Sequence, residues 1–147
     1  MGGLLAHQPM PQLLITTETV VDSDSLVKVA FKPSSSAPIG QRADLLMSEN
    51  GRLVPAVSGE VNSLSALQQL RARIGDGTGT TQWVRVREKG GVGDTEDSYV
   101  NLARVGEVAF GSAPDGNIAR LKSEDGAEIG EVHLPTALKA VQDIAGP

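Results

Sequence analysis

The chain has 147 residues, a net charge of −5 at pH 7 and no cysteine. The acidic balance argues against a dedicated nucleic-acid binder and against a protein that binds anionic membrane surfaces. The absence of cysteine excludes a fold framed by disulfide bonds. The 3% aromatic content leaves leucine, valine, isoleucine and alanine to build the core.

Residues 1–12 form an N-terminal arm that contains proline and glycine and has no hydrophobic periodicity. The arm lacks the basic region and the long apolar run of a secretory signal peptide, so we expect a cytoplasmic or virion location rather than classical secretion. No apolar run in the chain approaches the length that spans a membrane. The apolar residues of the arm are expected to contact a protein partner; they are Leu4, Leu5 and Met10.

Residues 13–75 are predicted to form a first β-rich module. Its strands are expected at 13–16, 19–21, 27–31, 43–47 and 53–57. The dipeptide Asn50-Gly51, between the last two strands, is typical of a two-residue hairpin turn. Ser63 is a typical N-cap for the helix that closes the module, in which apolar residues follow helical spacing at Leu64, Leu67, Leu70 and Ile74.

A glycine-rich linker, residues 76–82, leads to a second β-rich module at residues 83–147. Its strands are expected at 83–87, 99–101, 105–110, 118–122 and 128–133, and Asp125-Gly126 is the turn between the last two. Residues 89–98 have no counterpart in the first module, and we expect this loop to contact a partner. A closing helix is predicted to begin at Pro135 and to direct Leu138, Val141 and Ile144 inward.

The two modules align with each other. Residues 21–31 match residues 100–110, and both segments end in Val-Ala-Phe. The gaps in the alignment fall in loops, where insertions cost little free energy. The sequence therefore predicts an α+β fold of two tandem similar modules, each a small, mainly antiparallel sheet followed by one helix. Phe31 and Phe110 are expected in equivalent buried sites, packed on Leu67 and Leu138. The alternative is convergence, because Asn-Gly and Asp-Gly turns recur in many β-rich proteins.

The second module resembles a family of small bacterial β-rich modules. The pattern comprises Tyr99-Val100-Asn101-Leu102, the strand 105–110, Leu121, the Asp125-Gly126 turn, and a closing helix with Leu138 and Val141. It is similar to the FlbD-like flagellar and swarming-motility proteins and, more distantly, to the LytTR-type DNA-binding fold. The resemblance implies a small α+β interaction fold. It carries no flagellar function to this chain, because a fold does not determine a function.

The sequence contains no pattern typical of a catalytic or metal site. His7 and His133 are the only histidines and no cysteine can join them, which disfavours zinc. The Asp22-x-Asp24 pair lacks the remaining ligands of a calcium loop, so we interpret it as a polar turn. We expect neither a cofactor nor an enzymatic activity. Enzyme, ligand-binding and ion-binding functions remain as less favoured alternatives.

One basic stripe is a candidate binding surface. Arg85, Arg87 and Lys89 alternate along a predicted strand, so their side chains should leave the strand on the same face. Such a stripe can bind phosphate or acidic groups, and the alternative is an ordinary solvated strand face.

The favoured hypothesis is a non-enzymatic structural or adaptor subunit that decorates or joins a larger assembly. A phage virion decoration or cement protein is one version, and an accessory subunit of a bacterial complex is another. The arm and the 89–98 loop would make the protein contacts. The alternative is a LytTR-like nucleic-acid-binding regulator that acts through the basic stripe, which the net charge disfavours.

Overall fold

The computed structural model describes residues 12–14, 20–57, 59–78, 82–87, 97–114, 116–134 and 141. More than half of these residues lie in strands. The strands are β1 (Gln12–Leu14), β2 (Val20–Asp22), β3 (Lys28–Pro33), β4 (Gln41–Glu49), β5 (Arg52–Pro55), β6 (Trp83–Val86), β7 (Ser98–Asn101), β8 (Val105–Ala113), β9 (Gly116–Ser123) and β10 (Glu128–His133). The described residues include one complete α-helix, α1 (Leu64–Ile74), and two 3-10 turns at Ser23–Ser25 and Leu102–Arg104.

Local sequence signals account for the ends of several elements. The β4–β5 hairpin turns at Asn50 and Gly51, whose φ angles of 53° and 80° lie in the left-handed region that these two residue types tolerate. Helix α1 begins after Ser63, whose Oγ accepts a hydrogen bond from the Ala66 amide at 3.2 Å. It ends at Gly75, which has a φ of 69°. The predictions of this hairpin and this helix are therefore confirmed.

The strands form two main sheets and a short ribbon. A five-stranded antiparallel sheet has the order β5-β4-β3-β7-β6, and a three-stranded antiparallel sheet has the order β10-β9-β8. Strands β1 and β2 form the two-stranded ribbon. The two main sheets meet at one antiparallel bridge, where the Arg87 amide donates to the Glu131 carbonyl at 2.9 Å and the Glu131 amide donates back at 3.0 Å.

Two apolar cores lie on opposite faces of the five-stranded sheet. Tyr99 packs in the first core and the next residue, Val100, packs in the second, as the alternation of side chains along a strand requires. Helix α1 covers the first core with Ala66, Leu67, Leu70 and Ile74. The three-stranded sheet covers the second core with Ala119, Leu121, Ile129 and Val132.

The predicted α+β fold of two modules, each with its own sheet and helix, is wrong, because the structure is mostly β. Strand β3 pairs with β7, with Lys28 opposite Val100 and Ala30 opposite Ser98, so residues of both predicted modules share one sheet. The two-module prediction fails because the β6–β7 hairpin is apolar on both faces. Such a hairpin must be packed against another layer of structure on each side. The predicted helix from Pro135 lies outside the described residues, except for the buried Val141.

The two phenylalanines occupy different environments. Phe31 is buried, with Tyr99 edge-on at a centroid distance of 6.0 Å and the Arg71 guanidinium carbon 3.6 Å from its ring centroid. Phe110 is 56% exposed, so the prediction of an equivalent buried site is wrong. Strand β3 has β7 along its outer edge, whereas β8 pairs only with β9 among the described strands.

This difference predicts unequal effects of truncation. Phe31→Ala should lower the free energy of unfolding by about 3–5 kcal/mol, because it empties a packed site. Phe110→Ala should change it by no more than about 0.5 kcal/mol, because an exposed side chain loses few contacts. Denaturant unfolding of the two variants measures both values, and equal losses would contradict the assignment.

Candidate functional site: a charged cleft beside an open strand edge

Charged side chains line one face of the three-stranded sheet. Lys122 lies opposite Glu107 on β8 and opposite Glu128 on β10, and Arg120 lies opposite Glu131. Residues directly opposite each other on neighbouring strands share a face. Lys122 Nζ is 3.7 Å from Glu107 Oε2, and Arg120 Nε is 3.5 Å from Glu131 Oε1. The face is therefore a set of cross-strand ion pairs.

A buried ion pair lies where this face meets strand β6. The side chains of Arg87 and Glu131 are 2% and 1% exposed, and Arg87 Nε donates to Glu131 Oε2 at 3.3 Å. Removing two charges from water is costly, and only close pairing offsets that cost. The other carboxylate oxygen, Oε1, has Arg120 Nε as an ion-pair partner at 3.5 Å and accepts no hydrogen bond from the described residues.

A cleft of about 520 Å³ opens over this face. Its walls combine basic, acidic and apolar residues: Lys28, Glu107, Ala109, Arg120, Leu121, Lys122, Glu128, Ile129, Gly130 and Glu131. These walls include no serine, cysteine or histidine, so they contain no hydroxyl or thiol nucleophile paired with an imidazole base. No group of three or more potential metal ligands occurs among the described residues. The chemistry that fits such walls is recognition of charged and backbone groups.

Strand β8 borders the cleft and has an open edge. It runs for nine residues from Val105 to Ala113, and no described strand pairs with its outer side. Ala113 pairs with Gly116 across a two-residue connection, which directs the amides of alternate residues toward β9. The amides of Val108 and Phe110 therefore point to the open side. Phe110 adds an exposed aromatic ring to the same strand.

A second ionic cluster ties helix α1 to β7. Arg71 donates to both carboxylate oxygens of Asp97, at 2.9 and 2.6 Å. This contact holds the pKa of Asp97 below its ordinary value and raises the pKa of Arg71. Burial raises the pKa of Tyr99, and its hydrogen bond to Asp97 raises that pKa further. Because Arg71 also covers the Phe31 ring, we assign this cluster to packing of the first core.

The structure does not assemble the predicted basic stripe as a partner surface. Arg87 is buried against Glu131, because β6 pairs with β10 at that position. Arg85 is half-buried. The other predicted contact residues lie outside the described residues: Lys89, Leu4, Leu5 and Met10. Of the predicted contact loop, only Asp97 and Ser98 are described, and both are at least half-buried.

Sequence reasoning missed the open β8 edge and the buried Glu131. The alternation of Arg120 and Lys122 was a usable signal for a charged strand face. No local pattern distinguishes Glu131 from an exposed glutamate, because its burial depends on β6, which lies far away along the chain. The open edge is a property of pairing, and Val108 and Phe110 would have the same sequence if a strand covered them.

The Arg87–Glu131 pair predicts a non-additive stability cycle. Arg87→Met should lower the free energy of unfolding by about 3–5 kcal/mol, because it leaves a buried carboxylate without its buried partner. Adding Glu131→Leu to that variant should recover most of the loss. Arg120→Met, which alters the exposed partner of the same carboxylate, should cost no more than about 1 kcal/mol. Denaturant unfolding checks the cycle, and additive losses would contradict the pairing.

The Asp97 pKa predicts a specific acid sensitivity. A carboxyl whose pKa is lowered by folding stabilises the folded state above its unfolded pKa, here 3.8. That contribution disappears as the pH falls through the folded-state pKa. The loss of thermal stability between about pH 6 and about pH 3 should therefore be smaller in Asp97→Asn than in the original chain. An unchanged acid dependence would show that Asp97 is not coupled to folding.

Within the part of the chain that the structure describes, no helix has the length and apolar character needed to cross a membrane. No protein-family model matches the chain, and neither the curated proteins nor the solved structures contain a significant match.

Proposed function

We propose that this protein is a non-enzymatic structural or adaptor subunit that binds protein partners along the outer edge of β8. The observation that carries the proposal is the combination of a nine-residue open edge with Phe110, a ring that is 56% exposed. An open edge presents a row of backbone donors and acceptors to an incoming strand. An exposed aromatic side chain on that strand supplies an apolar anchor.

The composition of β8 supports a binding role. Folded proteins usually protect an open edge by making it short, or by placing proline or several charges on it. Strand β5, at one end of the five-stranded sheet, has such protection: it has four residues, begins at Arg52 and ends at Pro55. Strand β8 contains no proline, and its only charged residue is Glu107. An edge left without protection fits a surface that is covered in an assembly.

The charged cleft gives this edge a means of selecting its partner. Arg120 and Lys122 are 51% and 42% exposed, and both lie on β9, one strand in from the open side, opposite Ala109 and Glu107 respectively. Complementary charges on a docking strand would fix its register and exclude unsuitable partners.

The proposed assembly is a virion, with this chain as a decoration or cement protein, or a bacterial complex, with this chain as an accessory subunit. The location is accordingly virion or cytoplasmic. The arm residues Leu4, Leu5 and Met10 and the 89–98 loop remain proposed secondary contacts. The LytTR-like nucleic-acid alternative is weaker, because Arg87, the middle residue of the predicted stripe, is buried.

The proposal includes a tandem repeat, and two structural observations support it. Each 3-10 turn begins at a residue whose side chain caps the turn: Asp22 accepts from the Asp24 amide and Asn101 accepts from the Ala103 amide, both at 3.0 Å. Asp22 and Asn101 are matched residues in the sequence alignment. In each half, the capping residue also lies opposite a residue at the start of the other strand of its hairpin. Asp22 lies opposite Gln12, and Asn101 lies opposite Trp83.

The binding edge can be tested with one charged substitution and a matched control. Phe110→Lys places a charge on the edge and should abolish co-elution of the protein with its native assembly in size-exclusion chromatography. Ile39→Lys changes another exposed apolar residue, 43% exposed in the β3–β4 loop, and should leave co-elution intact. Both variants should unfold at the original temperature. Equal behaviour of the two variants would remove β8 as the docking edge.

A further inference from the structure

The pairing of β7 with β3 shows how a strand edge like that of β8 can be covered. The β6–β7 hairpin docks on the outer edge of β3, where the Phe31 amide donates to the Asp97 carbonyl at 2.9 Å. Docking also places Tyr99 of β7 against the Phe31 ring. Under the repeat, β8 corresponds to β3 and Phe110 corresponds to Phe31. Within the described strands, the β8 edge therefore has no counterpart of the hairpin that covers β3.

The matching hairpin is β1–β2. Its register corresponds to that of β6–β7: Leu13 lies opposite Val21 as Val84 lies opposite Val100. Strand β2 corresponds to β7, the strand that docks. Its outer edge pairs with no strand among the described residues. Among the described strands, the β8 edge and the β2 edge are thus two complementary halves of an interaction that do not pair with each other.

Among the described strands of one chain, the β1–β2 hairpin does not pair with β8, although Arg104, just before β8, donates to the Asp24 carbonyl in the turn after β2. Strand β1 lies beside helix α1, and Val21 packs against the first core. Strand β8 belongs to the layer that covers the opposite face of the five-stranded sheet, where Val105 and Val108 pack against the second core. A second copy of the chain can bring its β2 to β8 without disturbing either core.

We infer that β8 of one copy is completed by the β1–β2 hairpin of a second copy, in the register of the β3–β7 pairing. Val21 of the second copy would lie opposite Glu107, and Val20 opposite Val108. Val20 of the second copy would then lie beside Phe110 in the place that Tyr99 occupies beside Phe31. Because the two edges are different surfaces, the contact is head-to-tail and generates a closed ring or a filament.

The charges near the two edges restrict how the hairpin can dock. The hairpin and its following turn, residues 12–25, contain three acidic side chains and no basic one. Next to the β8 edge, the cleft contributes three basic side chains, Arg120, Lys122 and Lys28, and three acidic ones, Glu107, Glu128 and Glu131. A docked hairpin is therefore favoured only in a register that places its carboxylates beside the basic positions.

The inference rests on the proposed use of the β8 edge, and disulfide trapping tests it directly. The chain has no cysteine, so single-cysteine variants give unambiguous products. Val21→Cys protein is mixed with Glu107→Cys protein under mild oxidation. The corresponding Val100–Lys28 pair is of the non-hydrogen-bonded kind, in which Cα atoms lie about 4.5 Å apart, a distance that a disulfide spans. We expect a mixed dimer of about twice the 15.3 kDa chain mass.

The control replaces Glu107→Cys with Lys32→Cys, which is 53% exposed and away from β8. The Val21–Glu107 product should exceed this control at least about tenfold in yield, since a held pair has a high effective concentration. Equal yields would overturn the inference. A chain carrying both cysteines that closes only on itself, as a monomer, would also overturn it, because the hairpin would then dock in its own chain.

Sedimentation equilibrium of the cysteine-free chain provides a second measurement that does not depend on folding of the cysteine variants. Self-association should weaken at least about tenfold in Phe110→Lys and remain unchanged in Ile39→Lys. A chain that stays monomeric at every concentration would overturn the inference. If the copies do not associate while Phe110→Lys still loses the native assembly, the β8 edge serves a different partner, and the proposed function stands without this inference.

Discussion

The pairing of β3 with β7 is the contact on which the rest of the structure depends. It places strands from both halves of the chain in one sheet and gives that sheet two apolar faces. One face then requires helix α1 and the other requires the three-stranded sheet, because a sheet that is apolar on both sides must be covered on both sides. Without this pairing, each half would be a small sheet with too little buried area to be stable.

Polar contacts between the two halves reinforce that pairing. The buried amide of Asn101 donates to the Leu26 carbonyl at 3.0 Å, and Arg104 Nε donates to the Asp24 carbonyl at 2.7 Å. The two predicted turns also meet, since the Gly51 amide donates to Asp125 at 3.3 Å. The Ser123 hydroxyl, which also donates to Asp125, lowers the pKa of that carboxyl. These contacts fix how the halves are placed and leave β8 on the outside.

Local sequence predicted the elements well and their partners poorly. Turns such as Asn50-Gly51 and the cap at Ser63 are encoded within a few residues, so both were identified correctly. Strand partners depend on residues far apart in sequence, and the alternation along β3 is compatible with any neighbour. The tripeptide Val-Ala-Phe occurs twice, and its phenylalanine is buried in the first copy and exposed in the second, because the two strands have different neighbours. Arg87 was assigned to a binding stripe because its alternation is that of an exposed strand.

The β3–β7 pairing also has a consequence for synthesis of the protein. Strand β3 leaves the ribosome well before β7. The edge of β3 at Lys28 therefore stays uncovered until Val100 has been synthesised. During that interval the nascent chain exposes an apolar strand edge with Phe31 on it. Pairings between distant segments form slowly, and exposed edges of this kind are where newly made chains aggregate or exchange strands. Chaperone capture or rapid translation between β5 and β7 would therefore benefit this fold more than one assembled from neighbouring strands.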